Sequence, residues 1–456
     1  MSDSRSREMN AARGDHAHDD ADAVGCWVTR VPELEHTFSG RLRIDPVDAA
    51  AVLARADLGD QYIVYEWAGT WHVAAGAAAE LSVTADALRL RAGQWHDSLP
   101  VTDPVEATGD AVSRLQRSCP ERWCYGWAAF ELAYCIYGMH GASDGLCGGR
   151  AEVGNDPIIH VMVPAVDVVL RDGRVSIAST TDALLSRVRR ALDSNQEVPL
   201  VGPSISIPDM DSRPYSIAVQ KSIDAINDHQ LNKVVLSRVV PLPERSRLDF
   251  AQTYVVGRRA NTPARSFLMH LGGWSAVGFS PETVLEVDKN RRVRTLPLAG
   301  TRALVDDPET ARRIRGDLLS DVKEIHEHAI SAKLAMDEVR RVCDPGTVSV
   351  DRFMDIEERG SVQHLASRVT GVLRDEESPW TALSALFPAI TTTGVPKSAA
   401  LDLIHSLEDT ARGLYGGAVL ALAPDGALDA ALILRITLAL QPACGLHALE
   451  QRREGA

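Results

Sequence analysis

Hydrophobic and polar residues follow two patterns in the first half of the chain. Runs with a period of two and continuous apolar runs predict strands, and the short spacer Ala68-Gly-Thr70 between two of them predicts a hairpin. Helical spacing of the apolar residues predicts helices at Ala107–Gln116 and Ala183–Leu192. The predicted strands are Gln61–Trp67, Trp71–Ala75, Tyr125–Glu131 and Ile158–Leu170, the last of which Pro164 interrupts.

The second half of the chain contains one long helical pattern. Between Pro308 and Pro345, apolar residues recur every three or four positions, which predicts a helix with a buried stripe. The stripe consists of Leu318, Val322, Ile325, Ala329, Ala332, Met336 and Val339. Helices are also predicted at Ser216–Asp228 and Ala251–Arg259, and strands at Lys233–Val240, Ser266–Leu271, Ser275–Phe279 and Thr283–Val287.

A proline-rich stretch from Glu197 to Arg213 separates a front half from a back half. The chain has 456 residues, of which 45% are hydrophobic, and it can therefore bury a large core. A length of roughly 150 residues per domain suggests about three units, although large α/β enzymes also reach this length as one body. The pattern alone therefore leaves the number of domains open.

The charge balance is acidic, with 48 Lys and Arg against 62 Asp and Glu and a net charge of −14. This balance argues against a nucleic-acid partner. No apolar run reaches the ~20 residues that span a bilayer, and the polar N-terminus has no signal-peptide segment, so we expect a disordered leader over residues 1–30. Seven scattered cysteines without a C-x-x-C pair are typical of a cytoplasmic protein.

Only six of the basic residues are lysines, which draws attention to Lys233 at the start of a predicted strand. A partly desolvated lysine can act as a general base, whereas arginine cannot give up its proton. A lysine at a strand end can equally be an ordinary surface residue whose charged end reaches solvent. Glu282 follows the turn Gly278–Pro281 and is a candidate general acid or simply a turn residue.

Two glutamates on the predicted long helix form a candidate metal site. A helix turns about 100° per residue, so Glu324 and Glu327 lie within about 60° of each other. Such a pair of carboxylates suits Mg²⁺, or it is an ordinary solvated acidic face. His326-Glu-His328 lacks the H-E-x-x-H spacing of a zinc site, and neither a Walker loop nor a dinucleotide fingerprint is present.

Seven short motifs follow one another in the back half of the chain. They are Lys233-Val-Val-Leu-Ser237, Gly278-Phe-Ser-Pro-Glu282, Pro297-Leu-Ala-Gly-Thr-Arg302, Lys323-Glu-Ile-His-Glu-His-Ala329, Gly360-Ser-Val-Gln-His364, Gly394-Val-Pro-Lys397 and Arg412-Gly-Leu-Tyr-Gly-Gly417. In this order they resemble the chorismate-utilising enzymes, the family of anthranilate, aminodeoxychorismate, isochorismate and salicylate synthases. Tyr62–Gly76 and Gly126–Glu131 resemble the salicylate synthase branch, so the resemblance extends from about residue 45 to Arg435.

The resemblance implies an α/β (α+β) fold, a single large body of two sheets wrapped by helices. The catalytic domain would then cover residues 31–435, with a front half at 31–200 and an active-site half at 214–435. Within the family, a lysine at the position of Lys233 marks the branches that use water as the nucleophile. By resemblance, Lys233 activates water to attack C2 of chorismate, and Glu282 protonates the departing C4 hydroxyl to give isochorismate.

In the salicylate branch, an intramolecular hydrogen transfer then releases pyruvate, and the resemblance ties His364 and Thr391 to placing the substrate for that step. The other implied site residues are Gly300 and Thr301 at the pocket wall, Tyr415 and Arg435 at a substrate carboxylate, and Glu327 with Glu324 at Mg²⁺. The resemblance therefore implies a monomeric, Mg²⁺-dependent salicylate synthase that acts on the small molecule chorismate. Its product would supply siderophore or secondary-metabolite synthesis.

The chain departs from the family after Arg435. The family continues with a strand, a Gly-Ala-Gly turn and a helix that supplies further Mg²⁺ ligands, whereas residues 436–456 lack these motifs. We therefore expect an atypical tail that leaves an unpaired sheet edge and weakens metal binding. Three alternatives stay open: an isochorismate synthase that stops at its first product, a catalytically impaired homologue, and an anthranilate-type enzyme, which Lys233 disfavours.

Overall fold

The computed structural model describes residues 23–139, 156–194, 211–240 and 248–440. Its strands are β1 (His36–Arg41), β2 (Tyr62–Trp67), β3 (Thr70–Val83), β4 (Ala87–Ala92), β5 (Trp95–Pro100), β6 (Cys124–Ala128), β7 (Ile159–Arg171), β8 (Arg174–Ser179), β9 (Lys233–Val234), β10 (Arg265–Leu271), β11 (Trp274–Ser280), β12 (Thr283–Val287), β13 (Arg292–Thr295), β14 (Leu298–Ala303), β15 (Ser349–Arg359), β16 (Val362–Val372), β17 (Gly394–Val395), β18 (Ala418–Leu422), β19 (Leu428–Leu432) and β20 (Ile436–Leu440). Its helices are α1 (residues 23–28), α2 (Pro46–Ala54), α3 (Pro104–Ser118), α4 (Leu132–Ile136), α5 (Asp182–Asp193), α6 (Arg213–Asn227), α7 (Phe250–Ala260), α8 (Pro308–Ser320), α9 (Val322–Val342), α10 (Pro379–Leu386) and α11 (Lys397–Leu407), with 3₁₀ turns at Pro345–Thr347 and Ile390–Thr392.

Antiparallel pairing joins eighteen of these strands into one hydrogen-bonded system, while β9 and β17 form a separate pair. The long strands β3 and β7 pair along most of their length, and the two ends of this pair belong to two different sheets. In the first sheet, one end of the pair continues through β2, β10, β11 and β20 on one side and through β8 and β1 on the other. In the second sheet, the other end continues through β4 and β5 on one side and through β6, β18, β19, β12, β13 and β16 on the other. The predicted two-sheet α/β body is therefore confirmed.

Helices pack on both sheets and contribute apolar side chains to the core. Apolar residues of α2, α5 and α7 pack on the first sheet, and those of α3, α9, α10 and α11 pack on the second. Burial of these side chains is the main favourable contribution to folding. No helix in the described part of the chain is long and apolar enough to cross a membrane.

The described chain begins at residue 23, inside the predicted leader of residues 1–30. Residues 23–28 form α1, and Trp27 is fully buried, with its indole Nε1 donating to the carbonyl of Arg91 at 3.0 Å. The predicted disorder is therefore wrong for α1, because a buried aromatic residue anchors it. Residues 1–22 and most of the proline-rich stretch, residues 197–210, lie outside the described residues.

The predicted long helix is two helices that meet at Asp321. The carboxylate of Asp321 accepts hydrogen bonds from the backbone N–H groups of Lys323 at 3.0 Å and Glu324 at 3.3 Å, and so caps α9. Val322 is consequently the first residue of α9, and it is 80% exposed instead of buried. Leu318 and Val339 are buried, as the stripe predicted.

Three strand predictions need correction. Only Lys233–Val234 of the predicted strand Lys233–Val240 is paired, as β9. Pro164 lies inside the continuous strand β7, opposite a register shift between Ala77 and Ala79, where a residue without an N–H is tolerated. Ile436–Leu440 forms β20 and pairs with β11, so the predicted loss of this strand is wrong. Residues 441–456 lie outside the described residues.

Candidate active site

The short pair of β9 and β17 brings two of the motifs side by side. Val234 pairs with Gly394, and Lys233 pairs with Val395. A Cβ atom on Gly394 would lie 2.1 Å from the carbonyl oxygen of Lys233, so only glycine allows this approach. The 3₁₀ turn Ile390–Thr392, which contains Thr391, is therefore held next to the strand that carries Lys233.

Lys233 forms an ion pair with a residue of the predicted metal site. Its Nζ donates to Oε1 of Glu327 at 2.6 Å, and both side chains are partly buried. Burial raises the pKa of Glu327, but the hydrogen bond and charge of Lys233 outweigh this effect and lower the pKa below its ordinary value. The predicted base and a predicted metal ligand thus lie in contact, on β9 and on the first turns of α9.

Glu282 is a buried carboxyl at the same site. It is 2% exposed, and its Oε1 accepts from the Thr391 hydroxyl at 2.7 Å while Oε2 accepts from the Leu298 N–H at 3.3 Å. Burial raises the pKa of Glu282 to about 7, although these two hydrogen bonds and the charge of Lys233 lower it. A carboxyl with this pKa retains a proton near neutral pH and is able to act as a general acid.

His364 lies between Thr301 and Arg435. Its Nε2 is 3.0 Å from Nη2 of Arg435, and its Nδ1 is 2.9 Å from the Thr301 hydroxyl. A guanidinium can only donate hydrogen bonds, so Nε2 of His364 accepts from Arg435. Nδ1 therefore carries the proton of the neutral ring and donates a hydrogen bond to the Thr301 hydroxyl. Burial, followed by the charges of Arg435 and Arg359, lowers the pKa of His364 to about 4. The imidazole is therefore neutral near pH 7 and suited to orienting a substrate.

Glu324 lies beside Gly300, next to the turn that carries Thr301. Gly300 has a φ of +69°, and a Cβ there would lie 3.1 Å from Oε2 of Glu324. Oε1 of Glu324 accepts from Nη1 of Arg302 at 3.2 Å. The Pro297–Arg302 motif is thereby joined to the start of α9.

The carboxylates of Glu324 and Glu327 lie one turn apart on α9, and each is bonded to a cationic side chain. In the described ranges, no three His, Cys, Asp or Glu side chains are grouped as a metal site. Mg²⁺ usually takes one or two protein carboxylates and completes its shell with waters and substrate oxygens. The two glutamates therefore fit Mg²⁺, provided that Lys233 and Arg302 give up their contacts with them.

The family model described as chorismate binding enzyme matches residues 60–448. The chain belongs to this family. A salicylate synthase from Mycolicibacterium paratuberculosis is 38% identical over 399 residues, which cover 86% of this chain and 85% of that protein. An anthranilate synthase component 1 from Haloferax volcanii is also 38% identical, over 221 residues that cover 48% of this chain and 42% of its own.

Solved structures agree with this family at the level of the fold. A menaquinone-specific isochorismate synthase from Escherichia coli has a TM-score of 0.64 at 18% identity and covers 92% of this chain and 91% of its own. Anthranilate synthase component I from Streptococcus pneumoniae has a TM-score of 0.60 at 21% identity and covers 81% of this chain and 84% of its own. The protein is thus a chorismate-utilising enzyme, as the ordered motifs predicted.

The predicted site residues form two linked groups. Lys233, Glu327, Glu282 and Thr391 form one group, and His364, Thr301 and Arg435 form the other. Gly300 and Glu324 lie against each other next to Thr301. The ring centroid of Tyr415 lies 5.8 Å from the guanidinium carbon of Arg412, which in turn bonds the carbonyl of Thr392, the residue after Thr391. Their individual roles stay predictions.

Residues that tie the site together were missed by reasoning from the sequence. Lys397 and Glu338 form a buried ion pair of 2.6 Å between α11 and α9. Arg412 and Glu131 are also buried, and Oε1 of Glu131 accepts from the backbone N–H of Arg412 at 2.8 Å. The sequence offered one indication of their importance, since the first or last residue of a family motif is in each case Lys397, Arg412 or Glu131.

Proposed function

We propose that this protein is a Mg²⁺-dependent salicylate synthase that converts chorismate to isochorismate and then to salicylate and pyruvate. The proposal rests on Lys233 and Glu282, an amine and a proton-retaining carboxyl that belong to one site and interact electrostatically. The salicylate synthase relative, at 38% identity over 86% of this chain, supports the same branch of the family.

In the first step, Lys233 leaves its ion pair with Glu327 and, in its unprotonated form, takes a proton from water as the water oxygen attacks C2 of chorismate. The ring double bonds shift, the C4–O bond breaks, and Glu282 donates its proton so that the C4 hydroxyl leaves as water. One water enters and one leaves, which makes this step an isomerisation. Thr391 and the backbone N–H of Leu298 orient the Glu282 carboxyl for this transfer.

In the second step, the hydrogen on C2 of isochorismate moves to the methylene carbon of the enolpyruvyl group. The C3–O bond breaks in the same event, pyruvate leaves, and the ring becomes aromatic as salicylate. This transfer needs orientation and no protein base. A neutral His364, held by Thr301 and Arg435, is suited to placing the substrate without exchanging a proton.

Glu327 and Glu324 would hold Mg²⁺ in this enzyme, and the ion would offset the charge of the ring carboxylate of chorismate. Isothermal titration with MgCl₂ tests this assignment without an activity readout. We expect Glu324→Gln and Glu327→Gln each to weaken Mg²⁺ binding by about tenfold or more, since even outer residues of metal sites contribute that much. The control is the exposed Glu309 on α8, replaced in the same way. Unchanged binding in both site variants would refute the assignment.

The proposed activity is tested by incubating the full chain with chorismate and Mg²⁺, with and without EDTA, and resolving the products by chromatography. We expect equal amounts of salicylate and pyruvate that depend on the metal. Isochorismate alone would move the enzyme to the isochorismate synthases, and no turnover by folded protein would support the impaired homologue. Anthranilate formed with ammonia would support the third alternative.

Lys233→Arg separates the two steps. It keeps the charge but removes the base, so turnover of chorismate should fall about 10²- to 10⁴-fold. Conversion of supplied isochorismate to salicylate should persist. The exposed Lys221, replaced by Arg, is the matched control, and undiminished turnover of chorismate by Lys233→Arg would show that Lys233 is not the base.

A further inference from the structure

Arg412 begins the last of the seven motifs, and the proposed reaction gives it no part. Its side chain is 2% exposed. Nη1 donates to the carbonyl of Thr392 at 2.6 Å, and Nη2 donates to the carbonyl of Val235 at 2.7 Å. Nε and Nη2 also donate to the two carboxylate oxygens of Glu408, at 2.8 and 2.6 Å.

The two carbonyls belong to the segments that carry the proposed acid and base. Thr392 directly follows Thr391, whose hydroxyl donates to Glu282, and Val235 is two residues after Lys233. One guanidinium therefore bridges the Thr391 turn and the continuation of β9. The paired strands β9 and β17 hold the same segments together on one side, with the Val235 N–H donating to the Thr393 carbonyl at 2.8 Å.

The surroundings of Arg412 hold its side chain in one orientation. Glu408 also accepts from the backbone N–H of Ser237 at 2.6 Å and from its hydroxyl at 3.0 Å. Glu131 accepts from the backbone N–H of Arg412, and the ring of Phe130 lies 4.4 Å from the guanidinium carbon. The planar guanidinium has five N–H donors and can bond the two carbonyls and the Glu408 carboxylate at once, whereas a lysine ammonium cannot.

We propose that Arg412 is a positioning residue for the first step, because it holds Lys233 and Glu282 at the separation needed for water attack at C2 and departure at C4. This inference rests on the proposed function. The base and the acid must both reach the ring at the same time, and a misplacement of about 1 Å can cost about 10²-fold in rate. The second step of the proposed reaction uses neither Lys233 nor Glu282, and in that reaction Thr391 acts only in the first step, by orienting Glu282. The second step is therefore insensitive to the separation of Lys233 and Glu282.

The test compares Arg412→Lys with the wild type on two substrates. We expect kcat with chorismate to fall about 10²-fold while KM changes less than about threefold. With supplied isochorismate, salicylate formation should change less than about threefold, because orientation around His364 is retained. Glu408→Gln is a second variant that loosens the same guanidinium, and it should show the same pattern with a smaller loss. Circular dichroism and thermal unfolding confirm that each variant is folded.

Arg374→Lys is the matched control. Arg374 likewise donates to two backbone carbonyls, those of Arg341 at 2.6 Å and Cys343 at 3.3 Å, and to the carboxylate of Glu377 at 2.7 Å. It bonds the far end of α9, where Arg341 is fourteen residues from Glu327 and therefore about 21 Å along the helix. This variant should lose stability without a selective loss of the first step.

The two substrates and the control variant separate a positioning role of Arg412 from a purely structural one. An equal loss with both substrates, or the same loss in Arg374→Lys, would reduce Arg412 to a structural role and overturn the inference. Unchanged kcat with chorismate in Arg412→Lys would overturn it too. If the wild type stops at isochorismate, a loss in kcat at constant KM with chorismate still supports it. A wild-type chain without turnover would overturn the proposed function, and this inference with it.

Discussion

The buried Glu282 should make the stability of the enzyme depend on pH in a way that one substitution removes. A carboxyl whose pKa is raised on folding contributes stability below its unfolded pKa, and that contribution is lost as the pH rises through the folded pKa. Burial raises the pKa of Glu282 from 4.5 to about 7. The wild type therefore carries the cost of a buried charge at pH 8, whereas Glu282→Gln does not.

The size of the effect follows from the two pKa values of Glu282. The shift from 4.5 to about 7 corresponds to about 3 kcal/mol, since each unit is about 1.4 kcal/mol. Nearly all of this cost is present at pH 8, and less than about 1 kcal/mol is present at pH 5. The stability of Glu282→Gln relative to the wild type should therefore increase by about 2 to 3 kcal/mol between pH 5 and pH 8.

Urea unfolding of both proteins at pH 5 and pH 8 measures this increase, and other titrating groups cancel in the difference. Replacement of the exposed Glu309 by Gln is the control and should produce a change of less than about 0.5 kcal/mol. A stability difference that stays constant with pH would refute the reasoning. The same titration predicts that kcat with chorismate declines above about pH 7, where Glu282 loses the proton it donates.

Other buried contacts give further predictions. Lys397→Met should destabilise the protein by about 3 to 5 kcal/mol because it leaves the buried carboxylate of Glu338 unpaired, and adding Glu338→Leu should recover much of this loss in urea unfolding. Full stability in the single variant would contradict this expectation. Arg435→Gln should raise the pKa of His364, because it removes a neighbouring positive charge that lowers the pKa together with burial. Histidine NMR measures that pKa, and an unchanged value would show that Arg435 does not act on the imidazole.

Periodicity predicted most of the elements but not their ends. The strand Thr283–Val287 has the predicted bounds, and α7 extends the predicted helix Ala251–Arg259 by one residue at each end. A single helix was predicted across Asp321 because the apolar residues keep their helical spacing on both sides of it in the sequence. A capping carboxylate stops one helix and starts the next, and its local hydrogen bonds outweigh the spacing of the apolar residues.

The partners of buried charges could not be predicted from periodicity. Lys397 is 3% exposed and bonds both Glu338 and the carbonyl of Leu386, yet in the sequence it is only the last residue of a short motif. Apolar spacing reports which face of an element is buried, and it does not report which distant segment packs there. The order of the motifs carried that information only because it resembled a known family.

Glu282 and Glu327 show what a motif cannot specify. Both are glutamates of the family motifs, but Glu282 is enclosed and, within the described part of the chain, accepts from a hydroxyl and a backbone N–H, so burial dominates and its pKa rises. Glu327 is partly buried and bonds the ammonium of Lys233, so its pKa falls and it stays ionised. One carboxyl is thereby suited to donate a proton and the other to bind a cation. The assignment of acid and metal ligand thus follows from the environments that the fold creates, since the side chains are identical.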